Sequence, residues 1–473
     1  MQWIVDVYAL MAGSLMLVCG SLADRLGRKR VFMAGLVLFT AASVAAAYAG
    51  SVGVLLVARG VMGVGEALIM PATLAVIGNV FPRGAERTKA IGIWSAAVGA
   101  WTVVGPLPGG WLLSHFWWGS VFLINLPIGI AGLFAAAALV PESRAAGQRR
   151  LDPAGALLSI TAVASLLWAV IAGPTRGWTT PAVLTALAAA AVLAGAFLWW
   201  ERRSAAPMLP MRIFRHRALA VGDLLILLGA FAVIGTLFVL VQHLQFVLGY
   251  SAGQTGLRLG SMVLALLIAG PLAGVLAPRV RGGLVPAVGL ALVLAALAVL
   301  GTTDAGDGYG RALMAMVLLG AGAGFVTTST SDAIVGALPE EDLGVGSATN
   351  SASIQLGAAT GVAVTGSLLA SRYQDELADG LRGTALPPGL LASAQDSLGT
   401  AFALARQLPG QAGESVAAVA RHAFVAGMWP AVIAGIGVTA VGIVIALLFS
   451  PRTHRSQTAD ALHTSATHNK ESS

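Results

Sequence analysis

Arg59 and Glu66 are the residues of this sequence whose type and spacing could do chemistry inside an apolar segment. With Gly63 and Met70 they occupy positions i, i+4, i+7 and i+11, so a helix would carry all four on one face. A buried arginine or carboxyl group in a membrane is costly unless it is paired or hydrated, and a functional site is the default interpretation. The pattern predicts proton coupling or substrate contact on this face, with structural pairing of the two charges as the alternative.

The elements that must position this face are membrane helices. Of the 473 residues, 57% are hydrophobic and 10% are charged, against about 25% charged in a soluble domain. Apolar stretches of roughly 18 to 28 residues predict about thirteen spans, and hence an all-α polytopic membrane protein. The stretches are 3–22, 31–49, 52–80, 89–113, 119–140, 153–172, 181–200, 218–241, 255–277, 284–302, 311–337, 345–370 and 425–449.

The net charge of +7 is distributed in a way that favours a membrane and excludes a nucleic-acid partner. Most of the arginines and lysines fall in alternate loops between the predicted spans and in the tail. The positive-inside rule places such loops in the cytosol. The distribution therefore predicts a multi-pass protein of the plasma (inner) membrane with a cytoplasmic C-terminus and an outward Met1.

A charged string, GSLADRLGRKR, starts at Gly20 and joins the first two predicted spans. Its glycines allow a tight turn, Asp24 can lie at a helix N-terminus, and its basic residues favour the cytosolic side. The string resembles the signature loop between helices two and three of the major facilitator superfamily. The resemblance implies two pseudo-repeated helix bundles and a conformational gate at these positions. The predicted gating residues are Gly20, Asp24, Arg25, Gly27, Arg28 and Arg30.

A degenerate copy of this string, GVLAPRVRGG, occupies residues 274–283 and indicates a parallel repeat. Between the copies, the two spans before the arginine-rich linker at 201–217 resemble the extra helices of the fourteen-helix drug:proton antiporters (QacA/EmrB type). The predicted division is an N-terminal bundle at 1–140, extra helices and linker at 141–217, a C-terminal bundle at 218–450 and a disordered cytoplasmic tail at 451–473. Residues 371–424 are expected to form a long outer loop.

The span at 89–113 contains prolines and paired glycines, which bend a helix and allow close packing. It resembles the G-P-x-x-G-G motif of the superfamily's antiporters, with Pro108 as an extra proline. The resemblance implies export rather than uptake. The residues that carry it are Gly99, Gly105, Pro106, Gly109 and Gly110.

By the same resemblance, Arg59 matches a proton-coupling arginine, and Gln245 borders the central cavity. Asn350 is a further candidate for the cavity. Asp223 and Asp332 lie within roughly two turns of cytoplasmic span ends, where snorkelling or loop pairing is expected.

The chain opens directly on a membrane segment that resembles family helix two. With about thirteen predicted spans where the resemblance implies fourteen, a further helix upstream is expected, and by resemblance it would bring an acidic residue near Arg59.

The predicted function is proton-coupled export of small amphiphilic or cationic organic compounds by alternating access, as in multidrug or antibiotic efflux. Proton-coupled uptake of a small metabolite and a non-transporting membrane sensor are the alternatives. An enzyme or ATP-driven pump is excluded because no lysine lies in a P-loop and no His, Cys and acid cluster could hold a metal. The expected partners are protons and the lipid bilayer, with the proton gradient in place of a cofactor, and the expected state is a monomer.

Overall fold

The computed structural model describes residues 3–81, 85–144, 152–204, 207–280, 283–382, 394, 398–407 and 411–449. Within these ranges the regular structure is helical and no β-strand occurs. Twelve of the helical segments are long and apolar enough to cross a membrane. The predicted all-α polytopic fold is confirmed, while the predicted tail at 451–473 lies outside the described residues.

The first half of the chain forms seven helices. The predicted span at 89–113 is divided between two of them, because the helix breaks at Gly105 and restarts with Pro106 in its first turn. The seven are α1 (Trp3–Leu26), α2 (Arg28–Ala47), α3 (Val52–Val80), α4 (Ala85–Val104), α5 (Pro106–His115), α6 (Ser120–Leu123) and α7 (Asn125–Leu139).

Two helices, α8 (Pro153–Arg176) and α9 (Pro181–Arg203), connect this half to the next. Helix α8 packs against α1 of the first half and against α14 (Leu343–Gly380) of the second. At its end, Trp178 Nε1 donates a hydrogen bond to Ser367 Oγ at 2.9 Å. Large apolar side chains of α9, including Leu184 and Val192, are exposed, as expected of a lipid-facing helix. The pair therefore holds the two halves together from one flank.

The second half begins after a 3-10 turn at Met211–Arg215. Its helices are α10 (Arg217–Gln242), which continues into a π-helical turn at His243–Val247, α11 (Ala252–Leu276), α12 (Leu284–Gly301), α13 (Tyr309–Ala337), α14 (Leu343–Gly380), α15 (Leu398–Gln407) and α16 (Gln411–Phe449). Helix α10 packs against α12, α13, α14 and α16. The largest apolar cluster of the described residues lies in this half, with Ala96 of α4 added from the other.

The prediction of a long outer loop at 371–424 is wrong. Helix α14 continues to Gly380, α15 fills part of the segment, and α16 begins at Gln411. The extension of α14 is rich in charged residues, so its hydropathy resembles that of a loop, yet Tyr373, Leu377 and Leu381 bury a stripe at helical spacing. Tyr373 also donates its hydroxyl to the carbonyl of Ala394 at 3.1 Å.

Two ends of the helical bundle are distinguished by their side chains. We call the end with Arg25–Arg30, between α1 and α2, the basic side, and the opposite end the far side. On the far side, Trp111, Phe116, Trp117 and Trp118 are about half exposed. Such an aromatic group is typical of a membrane interface, where one part of the ring is apolar and another is hydrated. The helices therefore run between two chemically different surfaces.

Candidate functional site

Arg59 lies where α3 and α1 make close contact. A Cβ added at Gly63 would be only 2.5 Å from the carbonyl oxygen of Tyr8, so glycine is what permits the approach. Arg59 Nε donates a hydrogen bond to the carbonyl oxygen of Ile4 at 2.9 Å. Its guanidinium carbon is 4.3 Å from the centroid of the Tyr8 ring, within the range of a cation–π interaction. Helix α1 therefore supplies both the hydrogen bond and the aromatic ring that stabilise the charge of Arg59.

Glu66 lies two turns further along the same face of α3, and Tyr8 is its hydrogen-bonding partner. Its second carboxyl oxygen, Oε2, is buried without a partner among the described residues. Arg59 and Glu66 are thus brought together through Tyr8, and no direct ion pair joins them in the part of the chain that the structure describes. This arrangement places a carboxyl group and a guanidinium group on either side of one tyrosine. Sequence reasoning missed Tyr8, whose ring gives no signal in an apolar segment.

A central cavity of about 120 Å³ lies between the two halves. Helix α4 contributes Trp94, Ser95 and Val98, and α10, α11, α13 and α14 of the second half contribute the rest of the lining. Trp94 is held in place because its Nε1 donates to the hydroxyl of Thr73 on α3 at 3.1 Å. The lining includes no charged residue among those described, and its polar groups are few. Such a surface suits an apolar or aromatic ligand, because it does not demand strict geometry.

The two cavity residues predicted in the second half lie at different places. Asn350 is fully buried on α14, one turn from the cavity residue Ile354, and its Oδ1 accepts a long hydrogen bond of 3.4 Å from Ser331. Gln245 is half-buried in the π-helical turn after α10 and is not part of the cavity lining. The predicted role of each residue stays a prediction.

Asp24 connects the two halves at the basic side. Its carboxylate accepts the backbone N–H of Gly344 at 2.9 Å and that of Val345 at 3.0 Å, the first turn of α14. Arg28 pairs with the same carboxylate at 2.8 Å, and both side chains are almost completely buried. A negative charge here is stabilised by unpaired N–H groups and by the helix dipole. The helix N-terminus expected for Asp24 therefore belongs to the other half of the molecule.

The remaining predicted gating residues surround this contact. A Cβ at Gly20 would lie 2.6 Å from the carbonyl oxygen of Gly344, so α1 and α14 touch. Gly27 has φ +109° and leaves room for Glu142, whose carboxylate accepts the N–H of Lys29 at 3.3 Å. Arg30 pairs with Glu142 at 3.4 Å while remaining mostly exposed, and Arg25 is exposed. Glu142 was not identified from the sequence.

A second polar contact between the halves joins α4 to α13. Arg87 Nε is 2.7 Å from Asp332 Oδ1, and the hydroxyl of Thr88 donates to Oδ2 of the same carboxylate at 3.0 Å. Both charged side chains are largely buried. Asp332 was expected to snorkel or to pair with a loop, but its partner is in the first turn of a helix in the opposite half. The prediction for Asp223 is wrong as well, because Asp223 is 8% exposed and does not reach the surface.

Helices α4 and α11 are in contact along glycines of both halves. A Cβ added at Gly92 would lie 3.0 Å from the carbonyl oxygen of Gly270, and a Cβ added at Gly270 would lie 3.0 Å from the carbonyl oxygen of Gly92. Of the predicted antiporter residues, Gly105 marks the break between α4 and α5. A Cβ added at Gly109 would be 3.9 Å from the Val121 side chain, and one added at Gly110 would meet no atom within 4 Å. Gly99 and Pro106 lie in α4 and α5, but their surroundings are outside the described part of the structure.

No metal centre is formed by the described residues, since no three His, Cys, Asp or Glu side chains among them cluster. The class of protein defined by this architecture is a polytopic transporter of two helix bundles around a central cavity. The family model for the Major Facilitator Superfamily matches residues 1–362. The chain belongs to this superfamily.

The chain aligns with named relatives over most of its length. It is 34% identical over 451 residues to the tetracenomycin C resistance and export protein of Streptomyces glaucescens, covering 94% of this chain and 84% of the relative. It is also 34% identical over 430 residues to the methyl viologen resistance protein SmvA of Salmonella typhimurium, covering 89% and 85%. Among solved structures, the human organic anion transporter MFSD10 (TETRAN) superposes with a TM-score of 0.56 at 15% identity, covering 94% of this chain and 83% of that one. This last likeness concerns the fold.

Proposed function

We propose that this protein exports small amphiphilic or cationic organic compounds in exchange for protons, by alternating access. The observation that carries the proposal is the apolar cavity between the halves, with proton-exchanging carboxyl groups outside its lining. A broad, weakly polar surface binds compounds of differing shape, while a carboxyl group elsewhere supplies the coupling. The relatives named for tetracenomycin C and methyl viologen fit substrates of this kind.

Glu66 is the proposed coupling carboxyl in the first half. A proton entering from the side of higher proton activity neutralises it and weakens its interaction with Tyr8 and Arg59. This changes which of the two access states is favoured, because a buried charge without full pairing is costly. Each elementary charge that crosses about 100 mV supplies about 2.3 kcal/mol to the cycle.

The contacts at the basic side are the proposed gate. Asp24 at the first turn of α14 and Arg87 with Asp332 hold the halves together there, so both contacts break when the cavity opens to that side. We assign the basic side to the cytosol of a plasma (inner) membrane, because loops rich in arginine are retained there. The two additional helices, α8 and α9, support membership of the fourteen-helix antiporter branch.

The direction of coupled movement tests the proposal. Purified protein is reconstituted into proteoliposomes with an acidic interior, and methyl viologen is added outside. Antiport moves protons out and accumulates methyl viologen inside, and a protonophore abolishes the accumulation. Ethidium serves as a second, fluorescent probe. Protein-free vesicles provide the background.

Three outcomes are distinguishable. Accumulation that depends on the gradient supports antiport. Loss of preloaded probe together with the outward proton flux indicates symport and therefore an uptake transporter. If neither probe moves in response to the gradient, the protein does not transport these compounds. That result is expected of a membrane sensor.

A further inference from the structure

Asp223 is a buried carboxyl group for which the proposed cycle above has no role. It lies on α10 in the half of the molecule that does not carry Glu66, and its side chain is 8% exposed. Its Oδ1 atom is buried and has no hydrogen-bonding partner among the described residues. A buried carboxylate that is neither paired nor fully hydrogen-bonded is strongly disfavoured relative to the neutral acid.

The residue of α14 beside Asp223 also favours the neutral form of its carboxyl group. Thr349 of α14 contacts the carboxyl group, and Thr349 Oγ1 donates to the carbonyl oxygen of Gly346 at 2.9 Å. A threonine hydroxyl has one hydrogen to donate and otherwise accepts. With that hydrogen directed at Gly346, the Thr349 hydroxyl has no hydrogen left to stabilise an ionised Asp223 and can accept one from the neutral acid. The local geometry therefore suits the protonated acid.

No described cation neutralises Asp223. Helix α12 has no titratable residue, and on α13 Asp332 is paired with Arg87. Of the charges nearest to the start of α10, Arg212 pairs with Glu341 and Asp342, Asp24 with Arg28, and Arg215, His216 and Arg217 are exposed. The other titratable residues of the packed elements lie towards the far side, at Tyr309 and Arg311 of α13, Arg372, Tyr373, Asp375, Glu376 and Asp379 of α14, Glu414, Arg421 and His422 of α16, and His243 after α10.

Asp223 belongs to a buried polar layer at the basic end of the central cavity. Asp223, Ser331 and Asn350 lie one helical turn towards the basic side from the cavity residues Ile226, Thr327 and Ile354, respectively. Ser331 and Asn350 are joined by a hydrogen bond, and the Nδ2 atom of Asn350 has no described partner. Three helices thus place polar side chains at one level, beneath an apolar cavity.

The gate contact covers this layer. The first turn of α14 binds Asp24, and Ala348 of the same helix lies against Gly20 of α1. Thr349 and Asn350, the next residues of α14, reach the opposite way, towards α10 and α13. Separation of α1 from α14 would open this layer to water from the basic side. A proton bound at Asp223 can then be released to that side.

We propose that Asp223 is a second proton-binding carboxyl group, in the half opposite to Glu66, which holds its proton while the basic side is closed and releases it when that side opens. The role of Asp223 in transport rests on the proposed proton coupling. The binding of a proton at Asp223 does not depend on that proposal. Two carboxyl groups, one in each half, would let the exporter take more than one proton per substrate.

The test is infrared difference spectroscopy of the full chain in lipid vesicles, between alkaline and acidic buffer. A protonated carboxyl group has a C=O stretching band that a carboxylate lacks. We expect Asp223→Asn to lose one component of this band, and Asp223→Glu to restore a component at a shifted frequency. Glu66→Gln should remove a different component, and the double variant both. Asp379→Asn is the matched control, because Asp379 is exposed, pairs with Arg382 at the far side and lies away from both sites, so its loss should leave both components in place.

A folded Asp223→Asn protein with the wild-type band would overturn the proposal. If Asp223→Asn does not fold, the band shift in Asp223→Glu decides the same question, and an unshifted band there overturns it. In the vesicle assay, the proton-to-methyl-viologen ratio should fall in Asp223→Asn, and an unchanged ratio contradicts the role in transport. Absence of proton-driven methyl viologen movement in the wild type would instead refute the proposed function, while leaving the infrared result to stand by itself.

Discussion

The carboxylate of Asp24, at the end of α1, accepts the backbone N–H of Gly344, 320 residues later in the chain, at 2.9 Å. A residue of one half thus stabilises the first turn of a helix in the other half. Since both partners are buried, the contact is protected from screening by salt. In the proposed cycle it exists only when the basic side is closed, so its free energy would favour that access state.

Asp24→Asn should shift the population towards the state with an open basic side. The amide can still accept a hydrogen bond, but it loses the charge that the helix N-terminus and Arg28 stabilise. A loss of about 1 to 3 kcal/mol changes the ratio of the two states about 5- to 150-fold. Spin labels at exposed residues of the two halves, Glu86 and Arg279, report the change as a longer distance in a Cys19→Ala background.

Arg25→Gln is the matched control for this measurement. Arg25 follows Asp24 directly and carries a charge, but it is exposed. Its replacement should leave the distance distribution as in the parent protein. Equal distributions in the parent and Asp24→Asn would show that the contact does not set the equilibrium.

Arg59→Ala should abolish proton-coupled export without preventing membrane insertion. The variant removes the charge next to Tyr8 and the hydrogen bond to Ile4, while Glu66 remains. Lysine should rescue only part of the activity, because it restores the charge without the planar guanidinium group. The readout is gradient-driven methyl viologen accumulation at matched protein content. Wild-type accumulation by Arg59→Ala would refute the coupling role.

Tyr8→Phe separates the two interactions of the tyrosine. The ring beneath Arg59 is kept, and the hydroxyl that bonds to Glu66 is removed. Hydrogen bonds to charged groups contribute about 1.5 to 3 kcal/mol, so we expect a roughly tenfold slower coupled export, with probe binding retained. Equilibrium binding of ethidium measures the second quantity. Slower export with a proportional loss of binding would instead indicate a structural effect.

The ion pair between Arg87 and Asp332 should contribute measurably to closure. A double-mutant cycle with Arg87→Ala and Asp332→Asn should give a coupling free energy on the order of 1 to 3 kcal/mol in thermal unfolding, because both side chains are largely removed from water. The exposed pair of Arg212 and Glu341 is the control, and its coupling should be below about 1 kcal/mol. Equal coupling in the two cycles would contradict a special role for the contact between the halves.

The sequence predicted the elements of this fold more completely than their contacts. Long apolar runs define spans directly, and the charged string after Gly20 marked one side of a contact between the halves. Its partner could not be predicted, because Gly344 offers a backbone N–H group that any residue would have. Arg87 and Asp332 were likewise visible as charges, but their pairing depends on how α4 and α13 are brought together.

The candidate site on α3 was predicted only in part. Helical spacing predicted that Arg59 and Glu66 share one face of α3. Tyr8, which links them, belongs to α1, and the periodicity of α3 carries no information about residues of another helix. The extension of α14 was missed because it is stabilised by a narrow buried stripe in an otherwise charged segment. The burial of Asp223 was not predicted either, because its position close to the start of α10 suggested an exposed side chain.

The glycine contact between α4 and α11 gives the last prediction. Gly270→Val should reduce coupled export and lower the melting temperature, because even the first side-chain carbon would be 3.0 Å from the carbonyl oxygen of Gly92. Overpacking of this kind costs about 1 to 3 kcal/mol and should keep the two halves apart. Gly260→Val, on the same helix, adds the same side chain where no atom lies within 4 Å and should be tolerated. Similar losses of stability and export in both variants would show that glycine is needed in α11 for helix flexibility, and that the contact with α4 is not the cause.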